Sequence, residues 1–522
     1  MKKFQLFRGS PNQVIADPGF FHASLNLRSG LLRTFLSFLS GALLNLAFPP
    51  INWFVFAFIC PSILLFIWLR SSPRAAFVYG FAFGFGFFGI GASWVYISVH
   101  NFGNAGIFLA GFITLAFVLL LASYSALCGY LFRRFFAKAN MAVSCLLAFP
   151  ALWVICEWLR GWVFTGFPWL FLGYSQTHFV LKNLAPILSV YGVSLATAFI
   201  CGVITWCLTK KHNPDLRSGL LGGMLILLIL TASYICGRFT WTAPLGKPIP
   251  VALVQGNVAL EMKWDQNYLT HILDIYTQQT EQHWNQGIIV WPEAAVPIIA
   301  QQVQGYLTQM NAAAKKHNTA IILGIPTSTT NGNYYNSLMV LGDGSGIYNK
   351  HHLVPYGEYT PLGAILQPLI NALGLPMSGF SKGAAHQALL QAKNITLAPF
   401  ICYEIGYPAQ VLSSARNSNA LVVVSDDSWF GNSSASAQQY QLAQMRAMET
   451  QRPILYATNS GITAIILSDG STQKTVPINQ LSTLVSFFQP VSGETLVMRA
   501  HNLIVLGLIL LMLLLGFALR RK

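Results

Sequence analysis

Three side chains in this sequence have the makings of a covalent catalyst: a thiol, a carboxylate and an ammonium, each at the end of a strand-like run. Cys402 closes Ile395-Thr-Leu-Ala-Pro-Phe-Ile-Cys402, Glu293 closes Ile288-Ile-Val-Trp-Pro-Glu293, and Lys350 closes Gly346-Ile-Tyr-Asn-Lys350. A free thiol with a pKa near 8.5 is only a few per cent thiolate at neutral pH. A carboxylate within hydrogen-bond reach can take its proton, and a fixed positive charge favours both the thiolate and the oxyanion of a tetrahedral intermediate. Taken singly, each has a plainer reading. Glu293 after Trp-Pro can cap a turn, Lys350 can be a solvated loop cation, and Cys402 can be a small core residue. Catalytic groups of open α/β sheets gather beyond the carboxyl ends of strands, so three strand ends far apart in sequence can converge.

The elements that would position them lie between about 248 and 485, where short β-rich runs alternate with polar helical stretches. Strands are expected at 250–255, 287–291, 320–325, 337–341, 395–403, 420–425, 454–458 and 463–467, and helices at 267–284, 301–317 and 434–450. Strands alternating with helices argue for an α/β domain with one substantial core. No repeat or low-complexity segment interrupts it.

The rest of the chain has a different texture. Of 522 residues, 54% are hydrophobic and 9% charged, against about 25% charged in soluble domains. Apolar runs long enough to span a bilayer occur at 29–48, 51–69, 75–98, 105–132, 141–159, 188–208, 219–237 and 502–519. The first two, parted only by Pro49-Pro50, form either a tight hairpin or one broken segment. The apolar stretch from Phe164 to Tyr174 is short and Gly/Pro-interrupted, so an interfacial or re-entrant piece is expected there. Seven of the eight cysteines fall in membrane-like runs, and Cys402 alone does not. With no partner in its own domain, it is not a disulfide thiol.

The net charge of +15 is not a nucleic-acid signal. Residues 238–501 hold 13 Lys+Arg and 13 Asp+Glu, so the whole excess lies elsewhere. It clusters at Lys2, Lys3, Arg8 and Arg28, at Arg70 and Arg74, at Arg133, Arg134 and Lys138, at Lys210, Lys211 and Arg217, and at Arg520, Arg521 and Lys522. The intervening loops are bare except for Arg160 and Lys182. This positive-inside pattern fits eight spans with both termini cytoplasmic, which puts the α/β domain on the opposite side of the membrane. The expected layout is a cytoplasmic segment over 1–28, without signal-peptide features, seven transmembrane helices over 29–237, an exported domain over 248–485, and a final span over 502–519.

The motifs VQGN (254–257), WPE (291–293), GEYTPLG (357–363), ICYE (401–404) and DSWFG (427–431) resemble the carbon–nitrogen hydrolase, or nitrilase, superfamily. Within it, VQGNVALEMKWD (254–265), HLVPYGEYTPLG (352–363) and EWLRGWVFTGFPWLFLGYSQ (157–176) are similar to the apolipoprotein N-acyltransferase family, in the same order along essentially the whole chain. The resemblance implies a polytopic helical membrane bundle carrying a nitrilase-like αββα sandwich, with Glu293, Lys350 and Cys402 in the triad positions. It implies supporting roles for Glu358, which would hold Lys350 or assist proton transfer, and for Tyr403, Glu404 and Trp264. The Tyr403 N–H is a candidate oxyanion donor, and Glu404 orients the turn. Trp264 suits a membrane interface or an acyl chain, or else packs the first helix on the sheet. Where such sequences commonly read Asn-Asp, this chain has Asp426-Asp427, which adds a charge near the site.

The implied reaction is ping-pong. Cys402 takes an acyl chain from a phospholipid, phosphatidylethanolamine above all, as a thioester, and passes it to the α-amine of an apolipoprotein's diacylglyceryl-cysteine in the bacterial inner membrane. His351 and His352 beside Lys350 offer a Cys–His alternative, which the available glutamate base makes unnecessary. No Cys/His/Asp cluster has metal-ligand spacing and no phosphate- or dinucleotide-binding fingerprint occurs, so neither metal nor cofactor is expected. Glu157 and Arg160, one helical turn apart, are expected to brace the FPWLFLGY loop. A membrane-tethered nitrilase-type amidase would need a single anchor rather than seven preceding spans, and a transporter would need polar residues mid-span.

Overall fold

The computed structural model describes residues 30–103, 105–209, 216–355, 357–359 and 379–520. The expected N-terminal segment, Lys210, Lys211, Arg521, Lys522 and residues 360–363 of GEYTPLG lie outside that set.

Among the described residues, six helical segments are long and apolar enough to cross a membrane: Gly30–Ala47, Pro73–Gly91, Ile107–Phe136, Val143–Arg160, Val180–Thr209 and Arg217–Cys236. Two shorter apolar helices, Phe56–Leu69 and Leu503–Leu519, occupy the remaining expected runs. Gly30–Leu44 and Phe56–Leu69 pack against each other as a hairpin about Pro49-Pro50. Two expected spans are broken by contacts that periodicity does not carry. The run expected over 75–98 stops at Gly91, whose carbonyl accepts from Gln438 Nε2 at 3.1 Å, while Trp94 Nε1 donates to Gln438 Oε1 at 3.2 Å. In the helix Ala185–Thr209, Ser189 leaves helical geometry (φ 59°), and the freed Val190 N–H donates to Glu449 Oε1 at 2.7 Å. Both partners belong to one helix of the α/β domain, Ala435–Thr450.

That domain contains β1 (Thr242–Pro244), β2 (Ile249–Gln255), β3 (Ile288–Val290), β4 (Ala320–Ser328), β5 (Tyr334–Gly342), β6 (Gly344–Ser345), β7 (Ile347–Asn349), β8 (Leu390–Ala392), β9 (Ile395–Ile401), β10 (Ala420–Ser425), β11 (Ile454–Thr458), β12 (Ala464–Ile466), β13 (Thr472–Thr475), β14 (Ser482–Phe488) and β15 (Val491–Gly493). One sheet runs β14-β2-β3-β4-β5-β7, the other β13-β12-β11-β10-β9-β8-β6, and β1 pairs with β15. Strands thus extend to either side of the expected 248–485. Short edge strands and β14 escaped the sequence reading because they alternate polar and apolar residues weakly.

Both central strands are apolar on both faces, as sheets covered on both sides require. Val251 and Leu253 point between the sheets towards Leu397, Ile401, Val422 and Val424. Ala252 and Val254 point the other way, onto Ile272, Tyr276 and Leu307 of the helices Leu269–Glu281 and Gln304–Lys316. Ala398, Phe400, Leu421 and Val423 face the helices Pro408–Ala415 and Ala435–Thr450 and share one continuous core with the membrane-type helices. The architecture is therefore a helical bundle joined to an αββα sandwich, with one outer helix layer of the sandwich seated on the bundle.

Candidate active site

The site lies at one end of the sandwich, where strands of both sheets stop. β3 ends at Val290, and Trp291-Pro292 carries the chain to Glu293. Gly324 on neighbouring β4 makes this turn possible, since a Cβ there would lie 2.4 Å from the Pro292 carbonyl oxygen. β7 ends at Asn349, one residue before Lys350. From the facing sheet, β9 ends at Ile401 and Cys402 opens a 3-10 turn to Gly406. Cys402 has φ +57°, in the left-handed region that side chains other than glycine adopt at a cost of about 1–3 kcal/mol. The nucleophile candidate is held at a strained corner.

The three side chains are buried together. Lys350 Nζ donates to Glu293 Oε1 at 3.2 Å and to Glu358 Oε1 at 2.9 Å. Asn336 Nδ2 on β5 bridges the same two carboxylates, at 2.7 Å to Glu293 and 3.1 Å to Glu358. Glu293 Oε2 accepts the Asp426 N–H at 3.0 Å. Burial works against the Lys350 ammonium, but Glu293 and Glu358 outweigh it and hold its pKa well above the ordinary value. Burial, then the Glu293 charge, pushes the Cys402 thiol well above its ordinary range, with Lys350 pulling the other way. The resting thiol is therefore protonated, and its ionisation waits on transfer of that proton within the site.

Residues 40–203 match the apolipoprotein N-acyltransferase N-terminal domain and residues 250–490 the carbon–nitrogen hydrolase domain. Apolipoprotein N-acyltransferase of Coxiella burnetii is 48% identical over 487 residues, covering 93% of this chain and 100% of that protein. Those of Methylococcus capsulatus (40% identical, 88% of this chain and 91% of that protein) and Azotobacter vinelandii (39%, 95% and 96%) are similar along comparable lengths. The chain belongs to the apolipoprotein N-acyltransferase family. It is a membrane protein and an acyltransferase.

The remaining residues singled out by sequence divide sharply. Glu358 grips Lys350, and its Oε2 accepts the Val354 N–H at 2.8 Å. Glu404 is fully buried and points away from the triad. It accepts the N–H groups of His351 (2.8 Å), His352 (3.0 Å) and Ile401 (2.9 Å) and the Tyr348 hydroxyl (2.9 Å), so it ties the Cys402 turn to the Lys350 turn. The Tyr403 hydroxyl donates to the Leu353 carbonyl at 2.8 Å and lies 3.1 Å from the Tyr407 hydroxyl. Trp264 is 50% exposed, so it does not pack a helix on the sheet. His351 Nδ1 meets the Gly383 carbonyl and His352 Nδ1 meets Gln410, while burial lowers the His352 pKa to about 4. Both histidines serve the turn rather than the thiol.

Asp426 is not a stray charge, because Lys263 Nζ reaches its Oδ2 at 2.5 Å with both side chains buried. Asp427 is also buried, which raises its pKa to about 7, although its Oδ1 accepts the Ser425 hydroxyl at 2.7 Å. Sequence reasoning missed Asn336, Lys263 and Gln439, whose Oε1 lies 3.9 Å from Cys402 Sγ. Only Lys263, inside the MKWD motif, carried a signal that could have found it.

The bundle reaches the site through the loop from Phe164 to Tyr174. Arg160 donates to the carbonyls of Phe167, Trp169 and Leu170, and Glu157 Oε1 accepts the Leu172 N–H at 2.7 Å and Trp153 Nε1 at 3.0 Å. The braced loop in turn offers the Thr165 and Gly166 carbonyls to the Tyr407 hydroxyl. Its Trp169 ring lies 6.4 Å from that of Tyr403, the residue after the thiol. From there Trp94, Phe167 and Phe117 continue an aromatic file into the bundle, with centroids 5.0–6.3 Å apart.

Proposed function

We propose that the chain N-acylates apolipoproteins through a thioester on Cys402, with a membrane phospholipid, phosphatidylethanolamine above all, as acyl donor. The observation that carries this reading is the buried thiol at a strained strand end, opposed from the other sheet by a carboxylate and an ammonium already in contact. In the first half-reaction Glu293 takes the Cys402 proton and the sulfur bonds to the ester carbonyl carbon. Lys350 and the Tyr403 N–H stabilise the oxyanion. The C–O bond then breaks, the lysophospholipid oxygen leaves with the proton from Glu293, and the thioester remains. In the second, the α-amine of the diacylglyceryl-cysteine attacks and gives a proton to Glu293. The C–S bond breaks and the sulfur is reprotonated. An amine displaces a thiolate more readily than it would an alkoxide, which suits a thioester to this transfer. Glu358 holds Lys350, Glu404 fixes the turn, and Trp264 meets lipid.

Transfer rather than hydrolysis needs water kept out, and the aromatic file packed beside Tyr403 gives the site an apolar flank on the bundle side. The basic clusters support an inner-membrane protein with both termini cytoplasmic, seven spans within 29–237, a periplasmic catalytic domain over 248–485 and a last span over 502–519.

The test uses the full chain in detergent micelles with phosphatidylethanolamine labelled in its acyl chain. Hydroxylamine-labile label on Cys402 is expected, moving to the α-amine of a diacylglyceryl peptide on addition. Cys402→Ala should abolish both. Retained transfer in that variant would overturn the thioester, and release of free fatty acid without transfer would favour a tethered amidase.

A further inference from the structure

The triad grips Glu293 from one side only. On the other flank lies a second buried ammonium, that of Lys263, which ends the short helix Leu260–Lys263. Its Nζ donates to Asp426 Oδ2 at 2.5 Å and to the Glu293 carbonyl at 2.8 Å. Asp426 returns its backbone N–H to Glu293 Oε2 at 3.0 Å, closing a ring of three residues from three separate segments. The other Asp426 oxygen accepts from Ser428 N at 3.2 Å and Asn459 Nδ2 at 3.1 Å, so the carboxylate cannot swing away. A buried ion pair is weak support for stability, because apolar residues of similar volume often serve as well. Its place against the base gives it another use.

We propose that Lys263 is a positioning residue for the general base, fixing the Glu293 backbone and cancelling the Asp426 charge so that Glu293 stays ionised until Cys402 yields its proton. The proposal rests on the reading of Glu293 as the base. The groups facing Glu293 are Lys350 and Glu358, Lys263, Asp426 and Asp427, and Cys402, with the Tyr276 phenol near Asp426. Of those in direct ionic contact, three carboxylates (Glu293, Glu358, Asp426) meet two ammoniums (Lys350, Lys263), a surplus of one negative charge. Passing a proton from Cys402 to Glu293 moves one negative charge from the carboxylate to the sulfur, so the surplus of the site with Cys402 included is unchanged. Removing Lys263 doubles it, and like charges brought together favour proton binding. The base is then occupied before the thiol can use it. The same anchor fixes the residue that follows, the exposed Trp264.

The experiment is single-turnover acylation of Cys402 from labelled phosphatidylethanolamine in micelles, followed across the acid limb of the pH profile. Lys263→Met should slow thioester formation on the order of a hundredfold at neutral pH, the scale of a misplaced catalytic group, and move the acid limb to higher pH. Adding Asp426→Asn to that chain removes the orphaned charge and should return the limb to its original position. Asp426→Asn alone leaves Lys263 unbalanced beside the base and should move the limb to lower pH. That single variant decides the matter even where Lys263→Met does not fold. An unmoved limb in Asp426→Asn, or a slow Lys263→Met protein with the original limb, would overturn the proposal. Absence of thioester in the unsubstituted protein would instead sink the reading of the reaction itself.

Discussion

Two clusters of buried charge sit on either side of the Cys402 turn, and they end on different things. In the bundle, Glu157 and Arg160 spend their hydrogen bonds on the backbone of residues 167–172 and on one indole. In the sandwich, Glu293 and Glu358 end on amide groups too, but both also meet the Lys350 ammonium, beside a thiol that can lose a proton. A charge ending on peptide groups has partners that do not titrate, so its work is to hold a loop. A charge ending on other ionisable groups has a state that changes when any neighbour gains or loses a proton. Glu404 belongs with the first kind although it is two residues from the proposed nucleophile. Nearness in sequence to a catalytic residue is thus a poor guide to role, and the identity of the hydrogen-bond partner is a better one.

The largest expected effect tests that division directly. Glu293→Gln keeps the shape of the base and removes its proton affinity, so thioester formation should fall by about 10²–10⁴-fold, the usual worth of a general base, with little loss of thermal stability. Glu157→Gln still offers an oxygen to the Leu172 N–H and should retain transfer within a few-fold. Single-turnover acylation of both variants measures the contrast. Comparable losses in the two would erase the distinction between the clusters.

Much of this arrangement was legible in the sequence, and what was not has a physical reason. The triad could be found because each member closes a strand-like run, clearly apolar before Glu293 and Cys402 and only three residues long before Lys350. The αββα sandwich followed from the family resemblance of motifs spread through the chain. Partners of the triad were harder. Asn336 lies near the start of β5, beside Ser337 and one residue before the strand expected over 337–341, so it reads as part of a polar turn, and only the pairing of β5 with β7 sets its carbonyl against the Lys350 N–H at 2.8 Å. The breaks at Gly91 and Ser189 were invisible for a similar cause. Each is satisfied by a side chain more than 250 residues away, Gln438 or Glu449, and an apolar run contains no record of a partner that distant.

Glu404 supplies the intermediate case. Glu404→Ala leaves the N–H groups of Ile401, His351 and His352 without their acceptor. Unpaired buried donors cost about 1–3 kcal/mol each, so thermal unfolding should show a loss of about 3 kcal/mol or more. Thioester yield should fall with it, because the turns bearing Cys402 and Lys350 lose their common tie. The signature separating it from Glu293→Gln is that stability and activity fall together. Lost activity at unchanged stability would move Glu404 into the chemical class.

Trp264 marks the small end of the scale. Its indole is 50% exposed, so Trp264→Ala removes little packing, and stability should stay within about 0.5 kcal/mol, as for surface substitutions generally. An exposed aromatic at the end of a buried anchor has its use outside the folded chain, and the use proposed here is contact with lipid. The variant should therefore raise the KM for phospholipid several-fold while leaving the acid limb of acylation in place, since Lys263 still balances Asp426. Kinetics in mixed micelles at varied phospholipid fraction give the KM, and the same preparations give the limb. A moved limb would mean that Trp264 sets the Lys263 anchor rather than merely following it, and would draw the lipid-facing helix into the charge balance of the base.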